Sequence, residues 1–388
     1  MENQPFYRET WAEINLDAIK QNIHAYKNHV PSDVSIMAVV KANGYGHGAL
    51  ATAKTAIKSG ASYLAVAILD EALALREEGI TTPILVLGWV PPVHAKLAAE
   101  QDITLTVFQL EWLKQAEAIL NGLSLVIHLK VDTGMGRLGI KEEKEAKLIV
   151  ECLKKNSSFK VEGLYTHFAT ADEPDNPFIE TQRNRFEEMA SYLKSEGINP
   201  VWIHLGNSAG AVRMPERIGN IIRVGISMYG LSPSQEMKSV QPFNLNPAFS
   251  LHSQLVHVKQ MKEGEPISYG STYHTTEGEW IGTVPIGYAD GWIRKLRDGY
   301  VLINGEQAPI VGRICMDQFM VRLPASTKVG TRVTLIGRQG SEEITIDDIA
   351  KRLETINYEI PCMIGPRVPR IFRENEEKKG VMNTILKK

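Results

Sequence analysis

The sequence predicts two domains, an N-terminal (β/α)8 barrel of the TIM type followed by a mostly β C-terminal domain. Three observations carry this expectation. The chain has 388 residues, more than one hydrophobic core usually serves. Apolar, β-branched runs recur near Ile36, Leu64, Ile84, Leu105, Val126, Leu164, Ile203 and Ile222, eight in all, with helical patterns between most of them. Past a proline-bearing stretch the hydrophobic period changes to two.

In chain order, a short strand-like segment at Trp11 precedes Asp17, an expected helix N-cap, with Ile19, Ile23, Tyr26 and Val30 at helical spacing behind it. Asp70 to Glu78, Glu142 to Lys154 and Phe178 to Ser195 read as helices among the eight runs. Such alternation predicts a parallel barrel with its site at the carboxyl ends of the strands, a doubly wound open sheet being the alternative. The stretch SPSQEMKSVQPFNLNP, Ser232 to Pro247, holds three prolines and reads as a linker. The expected domains are therefore 12–240 and 241–388, with an N-terminal strand, 1–11, packing on the second.

In that second part Phe249 to Val258 and Trp280 to Ile286 alternate with period two. Asn304-Gly305 is a hairpin turn between Tyr300 to Ile303 and a strand around Ile310. Ile346 to Leu353, opening on Asp347 and Asp348, is the clear helix. The charged tail from Glu374 to Lys388 is expected to fray.

Composition narrows the function. Forty-three basic against forty-five acidic side chains, with no dense basic run, argue against a general nucleic-acid or anionic-membrane binder and for a small-molecule partner. Three scattered cysteines suit neither a disulfide framework nor a metal cluster, so no metal is expected. No apolar run is long enough to span a bilayer, and MENQPFYRET lacks a signal-peptide core, so the expectation is a soluble, cytoplasmic protein.

The chemistry concentrates in MAVVKANGYGHG, Met37 to Gly48. A buried strand ends on Lys41, just before three glycines that would let backbone approach a ligand closely. A solvated strand terminator is the ordinary reading of such a lysine. A desolvated one is instead a candidate for Schiff-base formation with a carbonyl cofactor.

VVKANGYGHG resembles the pyridoxal-phosphate lysine segment of the alanine racemases. KVDTGMGRLG, THFATAD, GNSAG, RVGISMYG, ISYGSTY, IGYADGW, RICMDQFM and INYEI come after it in that family's order over nearly the whole chain. The resemblance favours the barrel over the open sheet. It implies an isomerase using pyridoxal 5'-phosphate to interconvert L- and D-alanine, supplying D-alanine for peptidoglycan, and a homodimer with shared active sites.

The resemblance also implies the site residues. Lys41 holds the cofactor and serves as the D-alanine-specific base, and Tyr269, from the partner subunit, is the L-alanine-specific base. Two bases are needed because racemisation moves protons on both faces of a planar intermediate. Ser208, Gly225, Ile226, Tyr45 and Tyr358 meet the phosphate. Barrels commonly bind phosphate after their seventh and eighth strands, where GNSAG and RVGI lie. Arg223 faces the pyridine nitrogen and, being permanently protonated, would disfavour protonation of the ring, which suits racemisation better than transamination. His167 supports ring and arginine, with His204 behind them. Arg137 and Met316 bind the substrate carboxylate, Lys130 is a candidate for carbamylation, and Tyr288 narrows the channel. A broad-specificity racemase, a decarboxylase and a pyridoxal-phosphate carrier protein are the alternative readings.

Overall fold

The computed structural model describes residues 4–386 and divides into two compact units. One comprises Ala18–Gly44 and Ala49–Asn246, the other Met1–Asp17, Tyr45–Gly48 and Pro247–Lys388. Residues 1–3 of the expected N-terminal strand, and the last two of the tail, lie outside the described residues.

Strand β1, Thr10–Asn15, belongs to the second unit, where it pairs antiparallel with Phe249–Gln254 and parallel with Arg370–Glu374. The first unit holds β2 (Ser35–Val39), β3 (Ala61–Val66), β4 (Ile84–Val86), β5 (Ile103–Val107), β6 (Leu125–Lys130), β7 (Phe159–Tyr165), β8 (Trp202–His204) and β9 (Ile221–Val224). These are the eight expected runs. They pair in parallel in the order β8-β7-β6-β5-β4-β3-β2-β9, a nearly closed barrel whose strands are almost wholly buried.

No ladder joins β8 to β9; the segment Ile218–Asn220 fills that seam. Leu205 N–H donates to the Ile218 carbonyl at 3.0 Å and Asn220 N–H to the Ile203 carbonyl at 2.9 Å. Gly219 has φ of +88°, and a Cβ there would lie 1.9 Å from the Ile203 oxygen, so only glycine fits.

The expected helices appear as Leu69–Glu77, Glu143–Lys155 and Phe178–Ser195. Glu143–Lys155 buries Ala146, Ile149, Val150 and Leu153 on one face and starts in a capping box between Glu142 and Glu145. Asp17 is not an N-cap. The helix already begins at Leu16, and the Asp17 carboxylate, in its first turn, accepts the Asn375 N–H at 2.5 Å.

In the second unit Tyr300–Ile303 pairs with Glu306–Val311 across Asn304-Gly305, both at positive φ, 54° and 81°, as a tight hairpin turn requires. The helix Ile346–Leu353 is capped by the Thr345 hydroxyl. Two expectations fail. The run from Phe249 to Val258 breaks into Phe249–Gln254 and His257–Gln260, because Leu255 turns to bond Thr331 and Gly330. The tail does not fray from Glu374: Glu377–Met382 pairs with Arg370–Glu374, burying Val381.

Candidate active site

Lys41 stands at the carboxyl end of β2, and the backbone just after it is unusual. Ala42, Asn43, Gly44 and Tyr45 have φ of 51°, 53°, 61° and 51°, a full turn of left-handed backbone. For residues with a Cβ this costs roughly 1–2 kcal/mol each. The turn is held on both sides. The Glu71 carboxylate accepts Ala42 N–H at 2.6 Å through one oxygen and Ala67 N–H at 2.8 Å through the other. Asn43 Oδ1 accepts Ala49 N–H at 3.0 Å, and Gly44 N–H returns to the Val40 carbonyl at 2.9 Å. Lys41 is thereby aimed by backbone rather than by its own flexible side chain.

Register brings the next residues together. Lys130 pairs with Tyr165 across β6 and β7, and Tyr165 with His204 across β7 and β8. The Tyr165 ring stacks on the His204 imidazole, centroids 4.5 Å apart and nearly parallel. Lys130 Nζ and the Arg223 guanidinium lie 5.4 Å and 5.3 Å from the centre of the same ring. His128 shares a face of β6 with Lys130, two residues on. It fits because its neighbour on β7 is Gly163, where a Cβ would come within 2.4 Å of the imidazole.

Arg223, 3% exposed, spends its donors inside the barrel. Nη1 donates to His204 Nδ1 at 2.8 Å and the His204 carbonyl at 2.9 Å. Nη2 donates to the carbonyls of Thr166 at 2.8 Å and Leu205 at 3.1 Å, and to His167 Nδ1 at 3.3 Å. Guanidinium can only donate, so both histidines accept through Nδ1. His204 then carries its proton on Nε2 and donates it to His128 Nδ1 at 2.9 Å. His128 Nε2–H in turn faces the Glu162 carboxylate at 3.7 Å, beyond hydrogen-bond reach, and that carboxylate accepts from the Tyr63 hydroxyl at 3.1 Å.

Burial and crowding of like charge shift the titrations. Burial, then Arg137 and Arg223, bring Lys130 down to about 8. Burial, then Arg223, Arg137, Lys130 and Lys41, push His167 well below the usual histidine range; burial and then Arg223 do the same to His204. Arg223 is lowered by burial to about 10 and stays cationic at neutral pH. Arg223 and Lys130 thus lie against the Tyr165 ring beside imidazoles held neutral, an arrangement that suits an anion.

After β8 and β9 come the other barrel residues singled out in the sequence. Ser208 Oγ accepts Gly225 N–H at 3.1 Å, and Ile226 is the next residue along. Asn207 Oδ1 accepts Gly210 N–H at 2.8 Å and fixes the turn.

In the second unit Tyr45 is buried, its ring 6.2 Å from that of Tyr358, and burial raises its phenol so that it remains a donor. Tyr269, Met316 and Tyr288 are exposed there, by 72%, 52% and 40%. Tyr269 sits in a short 3-10 turn between Ser268 and Gly270, both at positive φ, and the Ser268 hydroxyl ties the turn to the Arg313 carbonyl at 2.6 Å. Among the described residues no cluster of ligands that could hold a metal is found.

Glu71, His128, Tyr165 and Glu162 escaped the sequence reading. The alternation of LVIHLK, which puts His128 on the face of Lys130, was the one signal for any of them.

The model of the alanine racemase N-terminal domain matches residues 14–233, and that of the C-terminal domain residues 248–372. The alanine racemase of Geobacillus stearothermophilus is 56% identical over 381 residues, 98% of this chain and 97% of that one. A crystal structure of the alanine racemase of Bacillus anthracis with bound L-Ala-P has a TM-score of 0.96 at 50% identity, covering 98% of this chain and 99% of that one. The histidine racemase of Leuconostoc mesenteroides is similar with a TM-score of 0.89 at 34% identity, covering 96% of this chain and 100% of that one.

Glu71→Gln would leave a single side-chain acceptor for two amides, and loss of one charge-assisted hydrogen bond costs about 1.5–3 kcal/mol. Amide exchange at Ala42 or Ala67 should accelerate about tenfold or more in the variant, with its circular dichroism unchanged. Equal protection in both proteins would show that the carboxylate does not hold the turn.

Proposed function

The chain belongs to the alanine racemase family, whose function is pyridoxal-phosphate-dependent racemisation, and on that premise we propose how its own residues carry the interconversion of L- and D-alanine. The single observation that carries this reading is the buried Arg223, held by three carbonyls and both histidines on the strand next to the one that leads to Lys41, with Lys130 over the same Tyr165 ring.

The residues present fit pyridoxal 5'-phosphate. Ser208 Oγ, having accepted the Gly225 N–H, keeps its own hydrogen to donate to a phosphate oxygen. The single Gly225 N–H being taken by Ser208, the amide of Ile226 and the hydroxyls of Tyr45 and Tyr358 would be the further phosphate donors, and Lys41 the attachment point. Arg223 would face the ring nitrogen, and its tether to two carbonyl-bearing turns and two neutral histidines keeps it from moving away. When bound, the cofactor supplies an electron-withdrawing ring that stabilises negative charge at the alanine α-carbon.

Lys41 moves the α-proton on one face. Tyr269 moves it on the other, and its exposure on the second unit suits service to a second copy of the chain. Arg137 and the backbone amide of Met316 bind the substrate carboxylate, while Tyr288 restricts the channel to a small side chain. The product D-alanine serves peptidoglycan synthesis in the cytoplasm. No helix among the described residues is long and apolar enough to cross a membrane. The likeness to a histidine racemase favours broad amino-acid specificity as the second reading.

In deuterated water with L-alanine and pyridoxal phosphate, the α-proton resonance should disappear as D-alanine accumulates by chiral analysis. Exchange without D-alanine would leave one base, and equal turnover of histidine would establish the broad reading. Subunit sharing has its own test: mixing inactive Lys41→Ala with inactive Tyr269→Phe chains should restore up to about a quarter of the activity per site pair, on random exchange of two chains. No recovery despite demonstrated exchange would place both residues in one subunit's site.

Lys130, brought down to about 8, presents more neutral amine at pH 7 than an ordinary lysine and so suits carbamylation, which would give Arg137 an anionic neighbour. Protein incubated with 13C-labelled bicarbonate should show a carbamate resonance that Lys130→Ala lacks; identical spectra would rule out the modification.

A further inference from the structure

Asp290 is wholly buried in the second unit, at the close of the turn that bears Tyr288. We propose that Asp290 is a positioning residue for the substrate carboxylate, fixing the Met316 loop and the Tyr288 turn through an ion-pair hub with Arg8, Arg367 and Asp317. The proposal rests on the reading of Met316 as a carboxylate-binding amide.

One Asp290 oxygen accepts Arg8 Nη1 at 3.0 Å and Gly287 N–H at 3.0 Å, closing the 3-10 turn Tyr288–Asp290. The other lies 2.9 Å from Arg8 Nη2 and 3.4 Å from Arg367 Nε. Arg8 Nη2 also donates to the Arg367 carbonyl at 3.2 Å, so the two cations are braced against each other. Arg367 then reaches Asp317, adjacent to Met316, at 2.7 Å.

Backbone completes the coupling. Tyr288 N–H donates to the Cys315 carbonyl at 3.1 Å and Ala289 N–H to the Met316 carbonyl at 3.0 Å. The approach is close enough that a Cβ on Gly287 would lie 2.3 Å from the Cys315 oxygen and 2.4 Å from that of Met316. Gly365 N–H donates to the Asp290 carbonyl at 2.9 Å, tying in the segment beyond Tyr358. One buried anion therefore gathers three stretches, near residues 288, 316 and 365, together with Arg8 from the far end of the sequence. A buried carboxylate is tolerated where cations and N–H groups surround it, and here one partner, Gly287, adjoins Tyr288 while another, Arg367, reaches on to Asp317 beside Met316.

The substrate carboxylate keeps its charge throughout racemisation, so its binding counts equally before and during proton transfer. Loosening the Met316 amide should then raise KM and spare kcat. A purely structural Asp290 would instead lower stability or active fraction without that split.

The test uses cofactor-loaded Asp290→Asn, which preserves size and removes the charge. KM for L-alanine should rise about tenfold with kcat within about threefold. Propionate, a carboxylate without an amine, should compete with alanine in the wild type and bind about tenfold more weakly to the variant by calorimetry. Unchanged KM and propionate affinity in a folded variant would overturn the Asp290 role while leaving the carboxylate reading intact. Failure of propionate to bind the wild type would refute the carboxylate reading and the proposal with it. Should Asp290→Asn not fold, Arg367→Gln, at a half-buried position on the hub's outer side, carries the same measurements with the same expected direction.

Discussion

Burial of one guanidinium organises the barrel unit. Arg223 is removed from water on a strand only four residues long, and it stays charged because carbonyls and imidazoles take up its donors. Each of those acceptors lies at the end of β7 or β8 or just beyond, so the cation dictates where those strands stop and turn. It also dictates chemistry at a distance. Because guanidinium never accepts, the tautomer of His204 is set, then that of His128, whose Nε2–H is left facing Glu162. The histidines would be ambiguous without it.

The same economy appears at Lys41. Lysine is flexible, and a site that relied on its side chain alone would lose that freedom on every encounter. The left-handed turn behind it and the Glu71 clamp transfer the ordering to the backbone at folding. The strain is local and stored where function needs it, as is common around reactive groups. Glycine fills one of the four positions, and Asn43 contributes the side chain that secures the next helix.

How much of this was legible depended on periodicity. The eight strands, the hairpin at Asn304-Gly305 and the helix at Ile346 were readable because burial on one or both faces writes a pattern into successive residues. Lys41 was readable because an apolar run ended on it. Glu71 was not, since a carboxylate in a helix's first turn ordinarily satisfies that helix, and nothing local says it serves a loop after another strand. Asp290, flanked by Ala289 and Gly291, reads as a turn residue until Arg8 and Arg367 are found around it, contacts spanning most of the chain. The tail misled for a related reason. Its charges promised solvent, but Glu377 and Lys378 stay exposed at the start of the strand while Gly380 and Val381 are buried further along. Long-range pairing leaves little trace in local composition.

Strand β1 and the short piece Tyr45–Gly48 both group with the unit built mainly from Pro247 onward. Neither unit is one continuous stretch, and β1 has ladder partners on both sides that are made only after residue 248. The barrel can begin to condense as its βα units emerge, but β1 must wait for Phe249–Gln254 on one side and for Arg370–Glu374 on the other. The second unit therefore has a high contact order by construction, and its assembly should be the slow, aggregation-exposed phase of folding. A truncation that removes Arg370–Glu374 withdraws one of β1's two partners, more than 350 residues away in sequence.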